Sequence, residues 1–192
     1  MQEIEESPGD LTEASDDALV RAARLGDQDA FAVIVDRYGP GMYQYAMRLV
    51  AGHDADAAEV VQEAFISAWR SIGTFAGRSQ LRTWLFSLVH RRAVDLLRKR
   101  RPTPIDDEQL ALESPVADDD PLRSTIDAEL VAALQEALAT LPPTQRAVWL
   151  LRETEDMSYE EIAEALSIPV GSVRGHLHRG RRTLAERMAR WR

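Results

Sequence analysis

The stretch SYEEIAEALSIPVGSVRGHLHRGRR, residues 158–182, decides the fold. It opens on Ser158-Tyr159-Glu160-Glu161, a capping box: the Ser hydroxyl accepts from the Glu161 amide while the Glu carboxylate accepts from the Ser158 amide. A helix is predicted from there, with Ile162, Ala163 and Leu166 inward. Ser167-Ile168-Pro169 makes a short turn, and a second helix starts near Val170 with Val173 and Leu177 inward. That is helix-turn-helix spacing, and Ala163 suits the place where two helices cross closely. The second helix exposes Ser172, Arg174, His176, His178, Arg181 and Arg182, donors suited to base edges and phosphates. An αα-hairpin with a solvated basic face is the plainer alternative. Gly171, Gly175 and Gly180 weigh against it, since an interior glycine costs about 1 kcal/mol relative to Ala. Close approach to a DNA backbone accounts for them, as does simple tolerance of a weak helix.

Upstream, a helix from about Thr125 presents Ile126, Leu130, Ala133, Leu134, Ala137, Leu138 and Leu141 on one stripe, closed by Pro142-Pro143. A short helix with Ala147, Val148, Leu150 and Leu151 follows. Residues 102–124 hold Pro102, Pro104, Pro115 and Pro121 among seven acids, the composition of a flexible acidic linker. Some twenty residues extended at about 3.3–3.6 Å each reach roughly 65–75 Å, so the flanking domains need not touch.

Residues 16–101 form a first helical domain in this reading. Leu19, Val20, Ala23 and Leu25 mark a helix stopped at Gly26. Phe31, Ile34, Val35 and Tyr38 mark a second, which Gly39-Pro40-Gly41 breaks before Met42, Tyr43, Ala46, Leu49 and Val50 resume. Asp54 caps a helix running to Gly73, and Ser79 caps a long one through Leu81, Leu85, Leu88, Val89 and Leu97 that Pro102 stops. Residues 1–15 are acidic with little to bury, a disordered tail. The expected fold is therefore all-α: two small helical domains, 16–101 and 125–192, joined by a flexible acidic linker.

Composition narrows the function. The 192 residues contain no cysteine, which excludes disulfides and thiolate metal sites, and the four histidines are not spaced as a metal set. No phosphate loop, Ser-His-Asp order or paired carboxylates can be assembled, so an enzyme is not expected, nor a cofactor. No apolar run has the length of a membrane span and the N-terminus is acidic, pointing to a cytoplasmic protein. Net charge is −9, yet Arg78, Arg82, Arg91, Arg92, Arg98, Lys99, Arg100 and Arg101 concentrate positive charge in one segment, and Arg174 to Arg192 in another. Two separated basic segments can meet phosphate while the remainder repels it.

These motifs in this order resemble the extracytoplasmic-function (ECF) group of sigma factors, over nearly all of residues 16–190. Ala30-Phe31 with Arg37-Tyr38 resembles the opening helices of the family's domain two. The run from Asp56 to Phe65 is similar to its amphipathic polymerase-binding stretch, and Phe75-Ala76-Gly77, Trp84-Leu85 and Ala93-Val94-Asp95 with Arg98 resemble its minus-ten reader. Leu141-Pro142 with Arg146, Tyr159 to Ala163 and Pro169 to Arg174 resemble domain four.

The resemblance implies that Asp56, Glu59, Val60, Gln62, Glu63 and Phe65 dock on core RNA polymerase, whose β′ and β subunits are the expected partners. Thr74, Phe75, Gly77, Arg78, Ser79, Trp84, His90, Arg91, Arg92, Asp95 and Arg98 would read the minus-ten element, with Trp84 either a core residue among Leu81, Leu85 and Leu88 or a stacking platform. The helix-turn-helix of residues 159–178, with Ser172, Arg174, Gly175, His176, His178, Arg181 and Arg182, would read minus thirty-five of promoter DNA. An anti-sigma factor is a further implied partner. The linker would occupy the polymerase's RNA path, or serve as a plain spacer. The family usually has Asn at Arg91, Arg at His176 and Gly at Ser167, departures that bear on base preference. The alternatives are a stand-alone helix-turn-helix regulator that binds DNA without polymerase, and a helical adaptor that binds only proteins.

Overall fold

The computed structural model describes residues 11–100 and 125–191, without the side chains of 125–128 and 190. Among these residues there are eight α-helices and no strand. Helices α1 (Asp16–Arg24), α2 (Gln28–Leu49), α3 (Asp54–Ser71) and α4 (Leu81–Lys99) build the first half. Helices α5 (Thr125–Ala139), α6 (Pro143–Glu153), α7 (Tyr159–Leu166) and α8 (Val170–Arg187) build the second. The linker and most of the acidic tail lie outside the described residues.

The helix starts have identifiable donors and acceptors. The Ser15 hydroxyl accepts from Ala18 N at 3.3 Å, and Asp27 accepts from Asp29 N and Ala30 N at 2.9 and 3.0 Å. The Ser158 box is complete: Ser158 N donates to Glu161 at 2.8 Å and Glu161 N to Ser158 at 3.2 Å. Gly26 adopts φ +90°, the left-handed stop its position after α1 requires. Two expected caps are replaced. His53 rather than Asp54 precedes α3, and Gln80 rather than Ser79 precedes α4, neither with a side-chain cap. Asp54 is instead taken by the Tyr43 hydroxyl.

The break expected at Gly39-Pro40-Gly41 does not occur, and α2 runs through Pro40. Proline removes one ladder bond and crowds the preceding turn, but Ile34 on one side and Met42, Tyr45 and Ala46 on the other are buried in one core that holds both parts. A Cβ on Gly41 would stand 3.7 Å from the Phe86 ring, an ordinary van der Waals contact, so the passage of α4 here does not require glycine. The chain also joins the fold earlier than expected, because Arg37 donates to Thr12 O and Ala14 O at 2.9 and 2.8 Å. Leu130, expected inward, is exposed beside Val131 on α5.

The two halves touch. Helices α2 and α4 pack against α5, α6 and α7, and the buried side chains form one continuous cluster from Leu19 to Leu184. The length of the linker permitted separation; complementary surfaces bring the halves together.

Candidate nucleic-acid interface

Helix α8 is polarised by its own spacing. Val173, Leu177, Gly180 and Leu184 are buried, recurring at intervals of four, three and four residues. At 3.6 residues per turn the opposite face carries Gly171, Gly175, His178, Arg179 and Arg182, with Arg174 and Arg181 along one border and Ser172 and His176 along the other. Gly171, Arg174, His178, Arg179, Arg181 and Arg182 are exposed. Gly180 has a different task from the other two glycines. It lies against α6, where a Cβ would meet Gln145 O at 3.7 Å, whereas Gly171 faces open space.

Side chains around α8 fix its cations. Arg174 lies 5.7 Å and Arg152 5.4 Å from the centre of the Tyr159 ring, so one aromatic face-bearing residue of α7 organises two guanidinium groups. Arg181 pairs with Glu153 of α6 at 2.6 Å, and Arg182 with Glu186 at a loose 3.9 Å. Arg179 contacts His176 Nδ1 at 3.2 Å. Ser167, in the turn, takes φ 57° and ψ 42°, a left-handed conformation that favours glycine.

In the first half, Arg91, Arg92, Asp95 and Arg98 lie exposed along the second half of α4. Arg91 donates to Ser87 O at 3.1 Å, Arg92 to the Ser67 hydroxyl at 2.7 Å, and Arg98 stands 4.0 Å from Asp95. Thr74, Gly77 and Arg78 are exposed in the preceding loop, with Ser79 half-buried and Gly77 at φ +65°. Trp84 falls between the two readings offered for it: half-buried, its ring lies 4.8 Å from that of Phe75 and so ties loop to helix. His90 turns inward instead of joining the arginines. Its Nδ1 lies 3.3 Å from the hydroxyl of the buried Tyr45, and burial, aided by Arg91, lowers its pKa to about 4. At neutral pH it brings no charge to a phosphate.

On α3, Glu59, Gln62 and Glu63 form an exposed acidic edge with Phe65 half-buried behind it. Asp56 and Val60 are buried. The Asp56 carboxylate is held by both terminal nitrogens of Arg100, and Val60 is core, so these two support the helix whose edge the other residues present.

Two positioning contacts escaped the sequence reading. Arg24 of α1 donates to Ile72 O at 3.4 Å and to Phe75 O, pinning the start of the loop from a helix some fifty residues away. Arg146, singled out only as a motif residue, is fully buried and donates to five backbone carbonyls. Burial lowers its pKa to about 10, so it stays charged. The one available signal was its place amid Ala147, Val148, Leu150 and Leu151, an arginine on a helix otherwise made for the core.

Both halves of the chain match known proteins. Residues 34–103 match the family model described as Sigma-70 region 2, and residues 132–184 match Sigma-70, region 4. The chain is 34% identical over 177 residues to the ECF RNA polymerase sigma factor SigW of Bacillus subtilis, covering 88% of this chain and 94% of that protein. It is likewise 34% identical over 183 residues to the RNA polymerase sigma-H factor of Pseudomonas aeruginosa, covering 91% and 94%. Among solved structures it resembles CnrH in complex with the cytosolic domain of CnrY, at 28% identity and a TM-score of 0.67, covering 89% and 95% of the two chains. The chain belongs to the ECF group of the sigma-70 family.

Proposed function

We propose that this sigma factor binds core RNA polymerase and promoter DNA and sets where transcription starts, with the work divided among three faces. The observation that carries the reading is the outward face of α8, where cations border two residues without side chains, so that a helix backbone can approach a groove while Arg174, His178 and Arg182 reach base edges and phosphates. The 74–79 loop and the exposed arginines of α4 form the second face, suited to a single strand: Phe75 and Trp84 offer aromatic surface and Arg91, Arg92 and Arg98 meet the backbone. Glu59, Gln62 and Glu63 on α3 form the third, which takes core polymerase.

A protein of the anti-sigma kind is a further proposed partner, since the CnrH structure is a complex with the cytosolic domain of CnrY. No helix among the described residues is long and apolar enough to cross a membrane, and the protein acts where polymerase is, in the cytoplasm.

The roles separate experimentally. Glu59→Lys with Glu63→Lys should weaken core-polymerase binding at least tenfold while leaving affinity for a minus-thirty-five duplex intact, and Arg174→Ala with Arg182→Ala should do the reverse. Equilibrium binding of each variant to core enzyme and to duplex checks this. Equal losses in both assays for both variants would overturn the division.

A further inference from the structure

The 74–79 loop is an arch between two fixed feet. At its start, Arg24 in the last turn of α1 donates from Nε to Ile72 O at 3.4 Å and from Nη2 to Phe75 O. Ile72 caps the C-terminal end of α3, where carbonyls lack partners within the helix, so one guanidinium closes that end and ties down the chain that leaves it. Phe75 N donates to the same Ile72 O at 3.2 Å, and the Thr74 hydroxyl donates to Ser71 O at 2.8 Å, which tightens the turn. At the far foot, Leu81 is buried at the start of α4. Between the feet Ala76, Gly77 and Arg78 are exposed, and Gly77 turns the chain at φ +65°.

Holding the Phe75 carbonyl fixes the torsion that sets where residues 76 onward leave. Phe75 stands at φ −60° and ψ 109°, with its ring 4.8 Å from that of Trp84, so the same peptide governs both the arch and the aromatic pair. Bases in a single strand are told apart by groups that stand in defined places, whereas the strand's backbone is held by charge that needs no such precision. A loop that samples several arrangements therefore keeps its general hold on a strand and loses its discrimination. Arg24 is itself exposed, so the rival role for it is direct contact with a phosphate.

We propose that Arg24 is a positioning residue for promoter reading: by holding Ile72 O and Phe75 O it keeps the 76–79 arch and the Phe75 and Trp84 rings in one arrangement, and so sets discrimination among single strands. The role in reading rests on the sigma-factor proposal; the strut itself does not. Arginine suits the task because its planar fork aims N–H donors at two carbonyls at once. Lysine keeps the charge without the fixed fork, which separates the strut from a phosphate contact.

The test compares the whole parent chain with Arg24→Lys, which keeps the charge, and Arg24→Met, which keeps only the stem. In the free protein, amide hydrogen exchange should speed roughly three- to tenfold across residues 73–80 in both variants, with α8 at the parent rate. With core polymerase added, the probes are single strands that the parent enriches from a random pool, beside the same strands scrambled. Both variants should bind the enriched strands roughly three- to tenfold more weakly and the scrambled strands as the parent does. The slope of log affinity against log salt should stay at the parent value, where loss of a phosphate contact lowers it by about 0.7. Loop exchange at the parent rate, Arg24→Lys that discriminates like the parent, or equal losses on enriched and scrambled strands would overturn the proposal. Failure of the sigma-factor reading shows separately, as a parent that enriches no sequence with core polymerase; that result removes the role in reading and leaves the strut to the exchange measurement.

Discussion

Tyr159 and His90 show how single side chains set the charge that DNA meets. Tyr159 lies within cation–π distance of both Arg152 and Arg174. Tyr159→Phe keeps the ring and should hold minus-thirty-five affinity within about twofold, whereas Tyr159→Ala frees both guanidinium groups and should lower it by about 0.5–1 kcal/mol, or roughly two- to fivefold. Titration of a duplex with the two variants checks the difference. His90 makes a prediction about pH. Its folded pKa of about 4 lies below its ordinary 6.5, so the unfolded chain binds the extra proton between those values and stability falls as pH drops from about 6.5 to 4. The contribution is at most about 3 kcal/mol. Chemical denaturation of His90→Gln should show a shallower loss across that window than the parent; parallel curves would contradict the assignment.

Among the helices, α8 and the turn before it carry the sharpest expectations. Gly180→Ala places a methyl in ordinary contact with α6 and should stabilise the protein by up to about 1 kcal/mol with DNA affinity unchanged. Gly175→Ala, on the outward face, should also favour the helix but weaken minus-thirty-five binding, because a side chain there holds the backbone off the groove. Ser167→Gly relieves a left-handed residue and should add up to about 1 kcal/mol. Thermal denaturation and duplex binding of the three variants decide these together. What the sequence made legible at this scale was local. The Ser158 box, the Gly26 stop and the inward Val173 and Leu177 follow from hydrogen-bond partners and periodicity within a turn or two. Pro40 was misjudged because the local penalty is outweighed by Ile34, Met42 and Tyr45, whose burial depends on helices elsewhere. Leu130 was misjudged for the same reason in reverse: a periodic stripe names the positions able to face a core and does not fix how wide that core is.

For the whole molecule, long-range polar contacts decide the arrangement, and these were not legible. Arg146 finds Leu49 O from 97 residues away and Arg82 finds Glu155 from 73, across the acidic segment between the halves. Nothing in the spacing of either residue points to the other. The candidate DNA faces were legible because basic residues cluster in sequence along α4 and α8, though His90, half-buried against Tyr45, was grouped with arginines that lie exposed. Asp56 was likewise grouped with Glu59 and Glu63, when one step around the helix hands it to Arg100. Under the proposed function, promoter selection requires the chain and core polymerase acting together. The direct measurement is to map transcript starts on genomic DNA with core polymerase, with and without the protein. Defined starts that need both, preceded by two shared sequence boxes about 25 base pairs apart, are the predicted result, given elements at ten and thirty-five pairs and about 10 pairs per turn. Sequence-specific DNA binding that core polymerase neither changes nor converts into new starts would contradict it.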